Sequence, residues 1–209
     1  SFDLLSSTFR DGQFRDVVQH LRMDEEAAWG CWALSNHDVE RAASRLAPPG
    51  VDPDAVSLTG LALLLSLRGT PCIYQGEELG LEEAEIPFDK LVDPYGIAFH
   101  PEFKGRDGCR TPMPWTHSLT NAGFCPDDVE PWLPIPAAHK QKAVSLANGH
   151  PESILQTVKA LLNFRKCHPA LSLGRMRILD SDPRLLMFER TLDEESVLCA
   201  FNLSPDILE

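Results

Sequence analysis

Apolar and polar positions follow two rhythms along this chain. In 11-DGQFRDVVQHLR-22, Phe14, Val17, Val18 and Leu21 recur at helical spacing with charges on the opposite face, which predicts a surface helix. An acidic step, 24-DEEAAWG-30, separates it from 31-CWALS-35, a short apolar run of the kind that forms a strand buried on both faces. Asp52 as N-cap and Pro53 at the first helical position then open an apolar stretch that runs through Leu67, with Gly69 on its C-terminal side. That pattern predicts a helix of about four turns. The run 71-PCIY-74 repeats the short strand signal and leads into 75-QGEELG-80. Helix, short apolar strand, helix, short apolar strand is the order of a parallel sheet with crossover helices, and polar residues gather after each strand.

From Leu81 to Ala138 the regular pattern stops. This interval holds 9 of the 17 prolines together with Gly96, Gly105, Gly108 and Gly123, which predicts a functional loop region or a disordered one. Its aromatic residues, among them Tyr95, Phe124 and Trp132, favour order. Helical spacing returns at Ile154, Leu155, Val158, Leu161 and Leu162, and Pro169 closes it. Beyond, 184-RLLMFER-190 and 196-SVLCAFNL-203 flank the polar 191-TLDEE-195, the signature of an antiparallel hairpin. An isolated hairpin is marginal in water, so it reads as the opening of a β-domain.

Composition narrows the function classes. The 209 residues, 43% apolar, are enough to bury a core, and 31 acidic against 19 basic residues give a net charge of −12. With no basic stripe to neutralise phosphates, nucleic acid is excluded as a partner. The run 61-LALLLSL-67 ends at Arg68, far short of the roughly 20 residues that span a bilayer, so no membrane crossing is expected. No basic segment precedes an apolar stretch at the N-terminus, and a cytoplasmic location is the expectation. Cys31, Cys72, Cys109, Cys125, Cys167 and Cys199 are widely spaced, with no CxxC pair, and are expected to be reduced and mostly buried, Cys31 and Cys72 as small core residues. His20, His100, His117, His139, His150 and His168 lack metal-ligand spacing and read as surface or loop residues; neither a metal nor a cofactor is expected.

The candidate chemistry sits where the predicted strands stop. In 36-NHD-38 an amide, an imidazole and a carboxylate follow 31-CWALS-35, and polar side chains just past the C-terminal end of a parallel strand are where α/β barrels build active sites. The same residue types also make turns and caps, and the tripeptide alone does not separate the two. Gln75, Glu77 and Glu78 after the second strand read as pocket lining or as capping groups. Met113, Trp115 and Trp132 read as platforms for stacking a ligand or as a small core of the loop.

Three phrases, WALSNHDVER, GTPCIYQGEELG and GRDGCRTPMPW, in this order and at these separations, resemble glycoside hydrolase family 13, the α-amylase family. The third is similar to its α-glucosidase, oligo-1,6-glucosidase and trehalose synthase branch. The resemblance implies the C-terminal part, about strands six to eight, of a TIM (β/α)8 barrel followed by the start of an all-β domain. In those terms 2-FDLL-5 ends strand six, 31-CWALS-35 is strand seven, 71-PCIY-74 is strand eight, and 81–138 is the long loop after it. The barrel portion is expected over 1–169, and the beginning of a β-sandwich domain over 170–209.

The resemblance also implies roles. Asp38 matches the third catalytic carboxylate, His37 an imidazole that hydrogen-bonds sugar hydroxyls, and Arg106 a loop arginine that reaches the terminal glucose and pairs with a carboxylate from elsewhere in the barrel. Arg110 is a second substrate-binding candidate, and Asn36 supports the turn. Without the family match, Arg106 reads as a structural ion pair with Asp107 or another loop acid. The implied substrate is an α-glucoside oligosaccharide, cleaved with retention of configuration. Retention needs a nucleophile and an acid/base, which in this family follow strands four and five, upstream of Ser1. The chain alone is therefore expected to be inactive, and self-association through exposed sheet edges is expected. The alternatives within the family are a trehalose synthase or other glucosyl transferase, and a non-catalytic glucosidase-like interaction domain.

Overall fold

Asp52 accepts a hydrogen bond from the Asp54 backbone N–H at 3.0 Å, and Pro53 takes the first helical position, so the longest apolar helix starts where the sequence places it. This is seen in a computed structural model, which describes residues 3–6, 16–18 and 29–208. The first half of the chain contains α1 (Asp3–Ser6), β1 (Cys31–Ala33), α2 (Ala42–Arg45), α3 (Pro53–Ser66) and β2 (Thr70–Cys72). Strands β1 and β2 pair in parallel, with Trp32 opposite Pro71 and Ala33 opposite Cys72. Helix α3 crosses over between them. It is apolar on nearly every side and buries Val56, Leu61, Leu63 and Leu64 in one core with Trp32, Leu34 and Leu46.

The long irregular region follows. It includes a 3-10 turn at Glu77–Leu79, the short α4 (Pro94–Phe99) and a second 3-10 turn at Asp107–Arg110. Helices α5 (Ala137–Gln141), α6 (Val144–Ala147), α7 (Ile154–Cys167) and α8 (Pro169–Leu173) return the chain to the core, where Ile154, Val158 and Leu171 pack. Pro169 ends α7 by opening α8. The last part is an antiparallel sheet of β3 (Arg175–Ile178), β4 (Leu185–Leu192) and β5 (Glu195–Asn202) in the order β3-β4-β5. Its buried Met176, Leu186, Phe188 and Cys199 belong to the same core as α3.

A half-buried arginine, Arg165, and a buried one, Arg190, join the preceding helices and the sheet to the end of α3. That helix has no basic residue in its last turn, and its final carbonyls lack helical partners. Arg165 donates to the carbonyls of Leu65, Leu67 and Gly69. Arg190, fully buried, donates to those of Ser66, Gly174 and Arg175. The partial negative charge of a helix C-terminus suits a cation.

Several expectations change. Residues Asp3–Ser6 form a helical turn rather than the end of a strand; Leu4 and Leu5 are both buried, and four residues carry too little periodicity to separate the two. Strand β1 stops at Ala33 because the chain bends, and the Ser35 hydroxyl accepts from the Ala42 N–H at 2.9 Å to start α2. Strand β2 begins one residue earlier than predicted and stops before Tyr74, whose N–H turns to the Glu77 carboxylate at 2.8 Å. In this chain only the helix-covered face of the pair is packed: Trp32 points into that core, while period-two alternation places Cys31 and Cys72 on the opposite face, where they are exposed and not part of the core. The hairpin gains a strand, β3, that the apolar pattern did not mark. His139 is buried rather than at the surface. Of the helix predicted over 11–22, residues 16–18 are helical with Val18 buried, and the rest lies outside the described residues.

Candidate active site

The turn after β1 is closed by Asn36, whose side-chain oxygen accepts the Asp38 N–H at 2.8 Å. This aims the Asp38 carboxylate away from the sheet toward the loop that carries both arginines. Asp38 Oδ1 accepts from Arg106 Nη1 at 3.1 Å and from Arg110 Nη2 at 3.0 Å. Asp38 Oδ2 lies 3.3 Å from His37 Nε2. Arg110 is fixed further by donating its Nε–H to the His37 carbonyl at 2.7 Å. Asp38 is 48% exposed and His37 70%, against 28% and 27% for the two arginines, so the carboxylate and imidazole face the open side with the guanidinium groups behind them.

Arg106 is held from its other edge. Its Nε and Nη2 donate to the two oxygens of Asp93 at 2.9 and 2.8 Å, a side-on bidentate pair, and its backbone N–H donates to Asp93 Oδ2 at 2.8 Å. Asp93 is buried, and the guanidinium beside it holds its carboxyl well below the usual carboxylate range. The same pairing raises Arg106 above its ordinary value. Tyr95 adds its ring 5.2 Å from the Arg106 guanidinium carbon. Asp107 is not the partner of Arg106: its Oδ2 accepts the backbone N–H groups of Val92 and Asp93 at 2.7 and 2.9 Å.

Beneath these groups lies a layer of buried polar residues. Arg41 donates to the Gln75 carbonyl at 2.8 Å and to the Thr111 hydroxyl at 3.4 Å, and so connects the end of β2 to the arginine-bearing loop. Burial lowers its pKa. The His139 ring nitrogens contact the Thr111 hydroxyl at 3.3 Å and the Glu82 carbonyl at 2.9 Å, and burial pushes this histidine down to about 4. Glu77 and Glu83 are both pushed up to about 7, chiefly by burial. Glu77 supports the loop and does not line the cavity beside Asp38, whereas Gln75 and Glu78 do line it, Glu78 also accepting the Gly76 N–H at 2.8 Å.

Beside Asp38 opens a cavity of about 680 Å³ lined by His37, Arg110, Tyr74, Trp115 and Trp132 among others. Trp115 and Trp132 are exposed at 50% and 67%, so they are not a loop core; Met113 is buried and packs with Leu79 and Leu81. All four residues singled out by sequence, His37, Asp38, Arg106 and Arg110, come together. Sequence reasoning missed Asp93. Its position before Pro94 signals an N-cap, which it is, accepting the Tyr95 N–H at 3.3 Å, but nothing local signals the pairing with Arg106.

Residues 4–174 match the family model described as "Alpha amylase, catalytic domain". The chain belongs to this family, glycoside hydrolase family 13. Among its family 13 relatives, "Probable alpha-glucosidase" of Rhizobium meliloti (strain 1021) is 47% identical over 191 residues, which cover 91% of this chain and 34% of that protein. Oligo-1,6-glucosidase of Parageobacillus thermoglucosidasius is 32% identical, with 86% and 35% covered. In structure the chain is similar to the alpha-glucosyl transfer enzyme XgtA, with a TM-score of 0.89 and 48% identity over 99% of this chain and 38% of that one. It is also similar to the trehalulose synthase MutB from Pseudomonas mesoacidophila MX-45, with a TM-score of 0.79 and 27% identity over 92% and 38%. The chain thus spans about a third of the length of its relatives. In family 13 terms it is the C-terminal part of a (β/α)8 barrel, in which β1 and β2 are neighbouring strands, and the antiparallel sheet starts the domain that follows. No helix among the described residues is long and apolar enough to cross a membrane.

Proposed function

We propose that this chain forms one wall of the sugar-binding site of a retaining α-glucosidase that removes terminal α-linked glucose from oligosaccharides. The observation that carries this reading is the convergence of Arg106 and Arg110 on one oxygen of Asp38 at the C-terminal end of a parallel strand. Glycosidic cleavage passes through an oxocarbenium-like state. A carboxylate beside the ring interacts more strongly with that cation than with the neutral substrate, so Asp38 lowers the barrier without attacking. His37 and the free edges of the two guanidinium groups hydrogen-bond sugar hydroxyls and hold the distorted ring. The attacking and protonating carboxyl groups come from barrel strands upstream of this chain, which by itself is inactive. The barrel portion extends over 1–169 and the β-domain begins at 170. A cytoplasmic location is part of the same proposal.

A second reading, transfer of the glucosyl group to a sugar instead of to water, draws support from the names of the structural relatives. The third, a non-catalytic interaction domain, is disfavoured by the intact His37, Asp38 and Arg106 assembly. To test the main reading, the chain is joined to the preceding portion of the 47% identical relative and assayed on a chromogenic α-glucoside. Asp38→Asn is expected to lower kcat roughly 100- to 1,000-fold. Activity of that variant within threefold of the unsubstituted chimera refutes the role of Asp38. Turnover by the chain alone that vanishes with Asp38→Asn refutes the absence of the reacting pair. With maltose as substrate, glucose alone as product means hydrolysis, and trehalose or another disaccharide means transfer.

A further inference from the structure

We infer that Asp93 is a positioning residue for the reaction: it fixes the Arg106 guanidinium so that only the Nη1 edge faces Asp38. The inference rests on the glucosidase reading of the Asp38 site and adds a residue to it. Asp93 itself is buried behind Arg106 and acts on the carboxylate only through it.

Two loop segments exchange hydrogen bonds at this point. Asp93 accepts the Arg106 backbone N–H and both Nε and Nη2 of its side chain, and Asp107 returns the exchange by accepting the Val92 and Asp93 N–H groups. The segments approach so closely that side chains are excluded between them. A Cβ on Gly96 would stand 2.7 Å from the Lys104 carbonyl oxygen; one on Gly105 would stand 2.7 Å from Gly96 Cα and 3.0 Å from Asp93 Oδ2. Gly105 also has φ +79°, which favours glycine. The bidentate pair fixes the guanidinium plane, because two parallel N–H···O bonds permit one orientation. It also offsets the Arg106 charge, so that of the two arginines on Asp38 only Arg110 adds a positive charge that Asp93 does not balance.

Asp93→Asn separates this role from capping. Asparagine caps a helix as well as aspartate does and has the same size, but its amide nitrogen presents a donor to an arginine donor and carries no charge. In the chimera described above, kcat/KM is expected to fall roughly 10- to 100-fold, mostly in kcat, the loss of a charged hydrogen bond. Thermal unfolding is followed on the same samples. The deciding measurement is the cycle with Arg106→Ala. If Asp93 acts through Arg106, adding Asp93→Asn to Arg106→Ala changes kcat/KM by less than roughly threefold. A full further loss in that background, or an unchanged kcat/KM for Asp93→Asn alone, overturns the inference. An Arg106→Ala variant with undiminished activity overturns the glucosidase reading of this site instead. On the isolated chain, the Arg106 Nε–H signal is expected to exchange slowly with water, and Asp93→Asn is expected to abolish that protection; fast exchange in the unsubstituted chain also counts against the inference.

Discussion

Glu77 gives the sharpest test of the polar layer beneath the site. Its carboxyl is buried and accepts the Tyr74 N–H, and burial outweighs the nearby Arg41 and the hydrogen bonds from Ser35 and Tyr74, raising its pKa from 4.5 to about 7. Glu78 adds like-charge repulsion in the same direction. The folded state therefore binds a proton between these two values that the unfolded chain has released, and stability falls as pH rises through that window. The contribution is fully present below pH 4.5 and lost above pH 7. The interval from 4.5 to about 7, at 1.36 kcal/mol for each tenfold change in proton affinity, amounts to about 3 kcal/mol. Glu77→Gln keeps the acceptor for Tyr74 and cannot ionise. Urea unfolding of both proteins at intervals from pH 4.5 to 8.5 should show the variant gaining relative stability by an amount on the order of 3 kcal/mol, or roughly 6–12 °C in Tm for a chain of this size. Glu83, with its pKa also raised to about 7, and His139, lowered to about 4, titrate in both proteins and cancel in the difference. Parallel stability curves, with a constant gap across the whole range, refute the reasoning.

Two further outcomes are expected. Arg190→Met keeps the apolar packing but leaves the Ser66, Gly174 and Arg175 carbonyls without their donor, so it should cost about 3 kcal/mol in urea unfolding; a change below about 1 kcal/mol shows that the buried guanidinium is replaceable. Among the described residues β1 and β2 pair only with each other, which leaves backbone groups at both edges, and the purified chain should associate with a concentration-dependent mass in light scattering; a constant monomer mass with little dye-accessible apolar surface counts against it.

What was legible in the sequence was what short-range chemistry dictates. Asp52 and Pro53 set the start of α3 because a cap and a fixed φ act within one turn, and the polar residues of 36-NHD-38 could be placed because they follow an apolar run. Trp32 and Cys31 show the limit of that reading: an unbroken apolar run marks a strand with two apolar faces, but it does not say that in this chain only the Trp32 face is packed, while Cys31 lies on the face that a (β/α)8 barrel turns toward its interior. The buried cations were illegible for a different reason. Arg41 and Arg190 are tolerated inside because backbone carbonyls distant in sequence accept hydrogen bonds from their N–H groups, and no local pattern announces a distant carbonyl.

Asp93 and Arg106 combine both limits. They are 13 residues apart across an irregular segment, so neither periodicity nor capping links them, and composition offers Asp107 as the nearer acid. The link is nevertheless written in the chain, in residues chosen for what they omit. Gly96 and Gly105 flank the pair, and each stands where a Cβ would collide with the opposite backbone. Gly96→Ala should therefore disturb Arg106 through backbone contact alone, without replacing or crowding a charged side chain. The geometry of the charged site depends on that backbone contact as much as on the charges, since a bidentate pair loses its fixed plane once the two segments move apart.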